Sequence, residues 1–345
     1  MTFAPPADPA TFAPPAPPAP LTYDHALSPV RGWWRGALAI VLLVVGYLVV
    51  STVLGGIAIV IDLGLGNLTQ EDLLAGTIGF TPALMLLNNL SLAALIPIAL
   101  LLQRWLFGVR FRWLFSVQGG LRWRWLGRIA LIIVPLWVVY LGVTFLLDPS
   151  GTIRLDGTAI ALLVIVLFTT PLQAAGEESG ARGLIQRSAG SWFRNPTAAF
   201  IVGTLISGAL FCLAHLAGDP WLIAYYFLFG VTMSISARFT GGLEAPIVVH
   251  ATNNVLLFIP AVLYGQLSEG IDRSDGAGGP FIILPMIMCV LAAVVSWWWG
   301  RRNGVITRAV PPLTVKQERA LLLPPPAPPA PPAEPAPPVE PSPVR

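Results

Sequence analysis

The chain has 345 residues, of which 55% are hydrophobic and only 11% are charged, and its mean hydropathy is +0.74. Soluble domains carry roughly 25% charged residues, so the composition excludes an ordinary soluble protein and predicts an all-α, polytopic membrane helical bundle. The formal net charge of +3 arises mostly from arginines beside apolar stretches. That pattern indicates orientation in a lipid bilayer and argues against nucleic acid as a partner.

Both ends of the chain are rich in proline and alanine. Residues 1–30 and 304–345 are predicted to be disordered tails, because such segments bury too little apolar surface to offset their ordering entropy. Residues 31–303 are predicted to form the transmembrane domain.

A spanning helix needs about 20 mostly apolar residues. Eight stretches meet this requirement: 36–61, 81–103, 128–147, 159–186, 197–217, 220–237, 243–263 and 280–299. Segment 104–128 mixes arginines with tryptophans and is predicted to lie at the membrane interface.

Arginines are concentrated before the first stretch and after the second, fourth, sixth and eighth, with Arg154 and Arg273 as exceptions. This alternation predicts a multi-pass protein of the cell membrane with both termini in the cytoplasm. Lys316 is the only lysine, an arginine bias that indicates a GC-rich bacterial source.

Two adjacent glutamates, Glu177 and Glu178, follow the apolar run of the fourth stretch, and Arg182 comes four residues after the second. In a helix, Glu178 and Arg182 lie on one face in the favourable acid-before-base order, which predicts a structural ion pair. Glu177 lies about 100° round the helix, free to face a cavity, polarise water or bind a metal ion. A buried salt-bridge network that only fixes packing stays open, since intramembrane acids also occur in transporters.

The apolar body has two histidines, His215 and His250, each in an otherwise hydrophobic stretch, and Asn254 lies one helical turn after His250. Two histidines and a carboxylate at membrane depth are typical of a functional site. Glu177, His215 and His250 have the residue types of a three-ligand zinc site with an open water position. Alternatively, Glu177 acts as a general base on water without a metal, and histidine and asparagine stabilise the oxyanion.

The ordered motifs Glu-Glu-x-x-x-Arg, Phe-x-x-x-His and His-x-x-x-Asn resemble those of the CPBP family, which contains CAAX proteases and bacteriocin-processing enzymes and is also called Abi. The matching positions are Glu177, Glu178, Arg182, Phe211, His215, His250 and Asn254. The resemblance covers about residues 159–263. Glu244 departs from the usual apolar residue of the family and is expected to alter the rim of the cavity.

The resemblance implies an eight-helix intramembrane endopeptidase acting on a membrane-associated peptide or protein substrate. Glu177 would activate water, and three further side chains would line the site: His215, His250 and Asn254. Glu178, Arg182 and Phe211 would support them. The family motif is compatible with zinc at the glutamate and histidines and with a metal-free mechanism.

Two other classes of function fit the same residues. One is a non-catalytic immunity or scaffold protein that keeps the polar cluster, and the other is a proton-coupled transporter that uses acids and histidines as a relay. The absence of an obvious internal sequence repeat disfavours a transporter built from inverted repeats.

Simple alternation of spans raises a geometric difficulty for the site. It places Glu177 towards the cytoplasm and His215 near the opposite end of the fifth span, which is too far apart for one water at 1.5 Å per residue. We expect the two to converge, either because the fourth helix is long or because the fifth is displaced or broken.

Overall fold

The computed structural model describes residues 19–30, 32–76, 78–147, 152–269, 273–310 and 312–322. Over these residues the fold is an all-α bundle with eight helices long and apolar enough to cross a membrane, as the composition predicted. The candidate spans are Trp33–Leu65, Pro82–Phe107, Trp123–Leu146, Gly157–Gly190, Pro196–Ala214, Pro220–Thr240, Glu244–Leu263 and Pro280–Arg302. Each overlaps one predicted stretch.

Several spans combine more than one helical segment. In chain order the α-helices are α1 Trp33–Leu65, α2 Gln70–Ala75, α3 Pro82–Ala93, α4 Leu95–Leu102, α5 Trp123–Leu147, α6 Gly157–Glu178, α7 Arg187–Gly190, α8 Pro196–Ala214, α9 Pro220–Thr240, α10 Glu244–Leu263, α11 Ile283–Arg302 and α12 Val315–Leu322. A π-helical stretch, Ser179–Gln186, joins α6 to α7 without a break.

The fourth span is much longer than a bilayer requires. It begins where the Asp156 side chain accepts a hydrogen bond from the Ala159 amide, and it runs for 34 residues to Gly190. At 1.5 Å per residue this is about 50 Å, against a hydrocarbon core of about 30 Å. Glu177 comes 13 residues before the end of the span, so it lies about 20 Å in from that end.

The length of the fourth span brings Glu177 and His215 to similar depths in the membrane. The fifth span starts at Pro196, and His215 follows its last residue, 19 residues on. His215 is therefore about 29 Å from the same face of the bundle and differs from Glu177 by about 9 Å in depth. A long fourth helix, the first of the two expected causes, accounts for the convergence.

Glycines allow the helices around the site to touch backbone to backbone. A Cβ added at Gly176 in α6 would collide with the Leu92 carbonyl oxygen of α3 and lie 2.8 Å from the Ala93 Cα. A Cβ at Gly230 in α9 would lie 2.8 Å from the Gly208 Cα in α8. Small residues at helix contacts are typical of membrane bundles, where close packing replaces the hydrophobic effect as the driving force.

Part of the segment predicted as an N-terminal tail is packed against the body of the protein. Strand β1, Leu21–Thr22, pairs antiparallel with strand β2, Arg308–Ala309. Tyr23 and Leu27 are fully buried, and the Tyr23 hydroxyl donates to the Leu114 carbonyl oxygen. The predicted boundary at residue 30 is therefore too late, because these large apolar side chains anchor the segment. The predicted C-terminal tail is likewise partly ordered, since it contains β2 and helix α12, Val315–Leu322. Residues 1–18, 311 and 323–345 of the predicted tails lie outside the described residues.

The arginine- and tryptophan-rich segment 104–128 contains the end of the second span, a short 3-10 helix at Phe111–Leu114 and the start of α5. Trp105 and Trp123 are 71% and 72% exposed, as expected of aromatic rings at the headgroup level. Trp125, also expected at the interface, is only 5% exposed and belongs to the core between α5, α9, α10 and α11. It is a packing residue, because it already lies inside helix α5.

Candidate active site

The innermost part of the site is a fully buried ion pair with a histidine attached to it. Glu178 Oε1 lies 3.0 Å from Arg182 Nη1 and 2.8 Å from His250 Nδ1. Arg182 Nη2 donates to the Gly230 carbonyl oxygen at 3.1 Å, and its guanidinium lies over the Phe211 ring, 4.6 Å from the centroid. The i,i+4 pair predicted for Glu178 and Arg182 is present, although the helix widens into a π-helix immediately after Glu178.

Glu177 belongs to a second, more open chain of hydrogen bonds. One carboxylate oxygen, Oε1, accepts from the Gln173 side-chain amide one turn earlier in α6. Gln173 Oε1 in turn accepts from Asn254 Nδ2 at 3.2 Å, and Asn254 Oδ1 accepts from Asn253 Nδ2 at 3.2 Å. Asn253 Oδ1 accepts from Trp137 Nε1 at 3.2 Å. The chain fixes Glu177 against α10 and α5 while leaving its carboxylate partly accessible, with 12% of the side chain exposed.

His250 stands between the two glutamates. An ionised carboxylate can only accept, so the contact with Glu178 places a proton on Nδ1 and turns the other ring nitrogen, Nε2, towards Glu177. Nε2 lies 3.8 Å from Glu177 Oε2, beyond direct hydrogen-bond distance. The aromatic rings of Phe229 and Phe211 meet the imidazole edge to face at 4.9 Å and 5.9 Å. His250 is thus held rigidly with one nitrogen free to take part in chemistry.

His215 is held in a similar way from the end of α8. Its Nδ1 lies 2.8 Å from the Phe211 carbonyl oxygen, which can only accept, so Nδ1 carries the proton and Nε2 is available. The imidazole stacks on Tyr226 at 4.0 Å between centroids and contacts the Phe211 ring at 4.6 Å. The Phe211 ring therefore touches both histidines. His215 also interacts electrostatically with Glu177 and His250.

All seven side chains singled out from the sequence are gathered in one region between α6, α8, α9 and α10. Four further side chains that the motifs did not include contact them: Gln173, Tyr226, Phe229 and Asn253. Gln173 carries a signal that could have been used, since it is a polar residue four positions before Glu177 in an apolar helix. Tyr226 has no such signal, because nothing in the sequence relates its ring to that of His215.

The residue types present suit zinc, but their arrangement does not make a three-ligand set. Among the residues that the structure describes, no group of three or more His, Cys, Asp or Glu side chains could hold a metal ion. Glu178 Oε1 is shared between Arg182 and His250, whereas its Oε2 is buried without a hydrogen-bond partner.

Glu244 has a structural position away from the rim of the site. It is fully buried at the start of α10, where its carboxylate receives Arg122 Nη2 at 2.6 Å and Nε at 2.9 Å. His250 follows six residues later, about 9 Å along the helix. The expectation that Glu244 shapes the cavity rim is not supported by this position; instead it ties α10 to the segment before α5.

The net charge of the cluster is negative. Two carboxylates, Glu177 and Glu178, face one permanent cation, Arg182, in surroundings dominated by apolar and aromatic side chains. Coulomb interactions are stronger in such a low-dielectric region than at a surface.

Comparisons with known proteins address the same part of the chain. Residues 159–256 match the family model for the Rce1-like type II CAAX prenyl endopeptidase. The chain is also 28% identical over 174 residues to the uncharacterized protein YyaK of Bacillus subtilis (strain 168). That alignment covers 47% of this chain and 56% of the relative, so the chain spans little more than half of the relative's length. No solved structure matches the chain.

The matched residues contain α6, α8 and α9 and the part of α10 that carries His250 and Asn254. They include every side chain that the motifs selected and exclude both proline-rich ends. The match over residues 159–256 therefore supports the resemblance to the CAAX protease family that the ordered glutamate, histidine and asparagine motifs predicted.

Proposed function

We propose that the protein is an intramembrane endopeptidase that hydrolyses a peptide bond of a membrane-associated peptide or protein substrate. The observation that carries this proposal is the placement of the Glu177 carboxylate 3.8 Å from His250 Nε2, with His250 fixed from behind by the buried Glu178. A water molecule can hydrogen-bond to two groups at that separation, each at an ordinary distance.

In the proposed mechanism Glu177 is the general base. It takes a proton from the water as the water oxygen bonds to the scissile carbonyl carbon, and the carbonyl becomes an oxyanion. The C–N bond then breaks, and the proton passes from Glu177 to the leaving amine. Asn254 has a second amide hydrogen available and is suited to stabilise the oxyanion. His215 would add a second donor through Nε2 once this nitrogen has taken a proton from solvent.

The metal-dependent alternative would require Glu177, His215 and His250 to draw closer together as zinc ligands, because the described residues do not form a three-ligand set. Zinc would lower the pKa of a bound water and polarise the carbonyl. A chelator such as 1,10-phenanthroline separates the two versions: loss of cleavage that added zinc restores supports the metal, and full activity in the chelator supports the metal-free mechanism.

The decisive experiment measures cleavage of membrane-associated peptides by purified protein in micelles. Glu177→Gln preserves size and hydrogen bonding to Gln173 but removes the base, so cleavage should fall about 100- to 10,000-fold. Glu71→Gln is the matched control, because it replaces the same type of side chain on helix α2, none of whose residues is buried. Cleavage that survives both Glu177→Gln and His215→Ala would contradict the proposal, whereas a cellular phenotype that persists in Glu177→Gln, with no cleavage by the unchanged protein, would favour a non-catalytic membrane protein.

Substrates can be sought with the same variant. Peptides or proteins retained by the Glu177→Gln protein in membranes, but released by the unchanged protein, are the expected substrates. If the Glu177→Gln protein retains no peptide and the unchanged protein cleaves none, the result would argue against proteolysis.

A further inference from the structure

A second charged site lies at the end of the second span, away from the glutamates and histidines. It is a notch of about 310 Å³ between that end and helix α12, within the size range of small-molecule sites, about 300–1,000 Å³. Its lining consists of Arg104, Arg110, Val315, Glu318 and Arg319. Three guanidinium groups face one carboxylate, which gives the notch a net charge of +2.

Helix α12 is docked onto the span and forms one wall of this notch. The Val315 amide donates to the Gly108 carbonyl oxygen at 3.0 Å, and Arg110 Nε donates to Glu318 Oε2 at 2.6 Å. The helix start is capped by Thr314, whose hydroxyl accepts from the Gln317 amide at 3.2 Å. The arginines are therefore presented by two elements in a defined arrangement.

The surroundings place the notch at the level of lipid headgroups. Trp105, which follows Arg104, is 71% exposed, and exposed tryptophans are enriched at the membrane–water interface. Arg35, at the start of the first span, donates to the Leu106 carbonyl oxygen at 2.8 Å and adds a further positive charge nearby. Guanidinium groups bind phosphate oxygens through paired hydrogen bonds.

We propose that this notch binds the phosphate group of an anionic phospholipid, with Arg104 and Arg319 as its principal contacts. Glu318 neutralises Arg110 and positions it, so that the two remaining arginines carry the excess charge. The phospholipid would hold α12 against the second span and so connect the C-terminal segment to the bilayer.

Native mass spectrometry of the full-length protein in mild detergent tests the proposal, with phosphatidylglycerol and phosphatidylcholine supplied at equal concentrations. The unchanged protein should retain phosphatidylglycerol preferentially. Arg104→Gln and Arg319→Gln should each lower that retention about fivefold, the effect of one basic residue near an anionic headgroup. Arg124→Gln, an exposed arginine outside the notch, is the matched control and should leave retention unchanged.

Three outcomes would overturn the proposal. One is equal retention of the two lipids by the unchanged protein, and another is an equal loss in Arg124→Gln, which would indicate only general surface charge. The third is displacement of phosphatidylglycerol by millimolar inorganic phosphate, which would identify a site for free phosphate. Arg319 is exposed on α12, so the Arg319→Gln protein should fold normally. Its thermal unfolding, compared with that of the unchanged protein, checks this.

Discussion

Replacement by glutamine should affect stability very differently at Glu177 and at Glu178. Glu178→Gln removes a charge that is completely buried and that faces both Arg182 and His250 through one oxygen. The Arg182 guanidinium would then remain in the protein interior without a compensating carboxylate. Breaking a buried pair by removing one partner costs about 3–5 kcal/mol, and we expect a loss near 3 kcal/mol because glutamine still accepts one hydrogen bond.

Glu177→Gln is the internal comparison. Its carboxylate is partly exposed, faces no arginine directly, and keeps its contact with Gln173 after the change. Such substitutions usually alter stability by only about 0.5 kcal/mol. The free energy of unfolding of both variants, measured by reversible denaturation in mixed micelles, should therefore differ by more than 2 kcal/mol, on the scale of these two estimates.

The cleavage assay completes the comparison. Glu177→Gln should be stable and inactive, whereas Glu178→Gln should be unstable and lose activity mainly through the loss of folded protein and of a fixed His250. Equal stability of the two variants, or a larger loss for Glu177→Gln, would refute the assignment of Glu178 as support and Glu177 as base.

Three further results are expected from the packing around the site. Gly176→Ala should force α6 away from α3 and lower both stability and cleavage. Gly64→Ala is the control: no atom lies within 4 Å of the added Cβ, so thermal unfolding should be unchanged or slightly later. Equal effects of the two substitutions would argue against the close contact of α6 with α3. Tyr226→Ala should lower cleavage up to about tenfold by releasing the stacked His215 ring, and Tyr226→Phe should restore it, so a defect in both variants would assign the effect to the hydroxyl. Glu244→Gln should cost about 3 kcal/mol through its buried ion pair yet leave the turnover rate of the folded fraction unchanged, and a selective fall in turnover at equal folded protein would place Glu244 in the site after all.

The sequence predicted the span count and the main polar residues because these depend on local composition and spacing. The different directions in which Glu177 and Glu178 project follow from helix periodicity, and the pair of Glu178 with Arg182 is formed as expected. The end of the fourth helix was predicted less well, because the predicted stretch 159–186 stops four residues before Gly190. Residues 187–190 are polar or small and so lack the apolar character that marks a span.

Contacts between distant segments explain what the sequence left out. The order of motifs does not specify that Gln173 connects Glu177 to Asn254, since that link depends on the packing of α6 against α10. Likewise, Tyr23 lies within proline-rich sequence and is buried only because the folded body supplies the Leu114 carbonyl as its partner. Such long-range pairings are set by the tertiary structure.

The pairing of β1 with β2 brings the segment before the first span next to the segment after the eighth span. Because Leu21 pairs with Ala309, a short peptide could join these positions once the residues that flank them, α12 included, are removed. New chain ends could then be opened in the connection that carries α2, none of whose residues is buried. Circular permutation is commonly tolerated where the original ends lie together at the surface. A permuted protein would emerge from the opposite side of the bilayer at both ends, which would give access to that side for labels without altering any residue of the site.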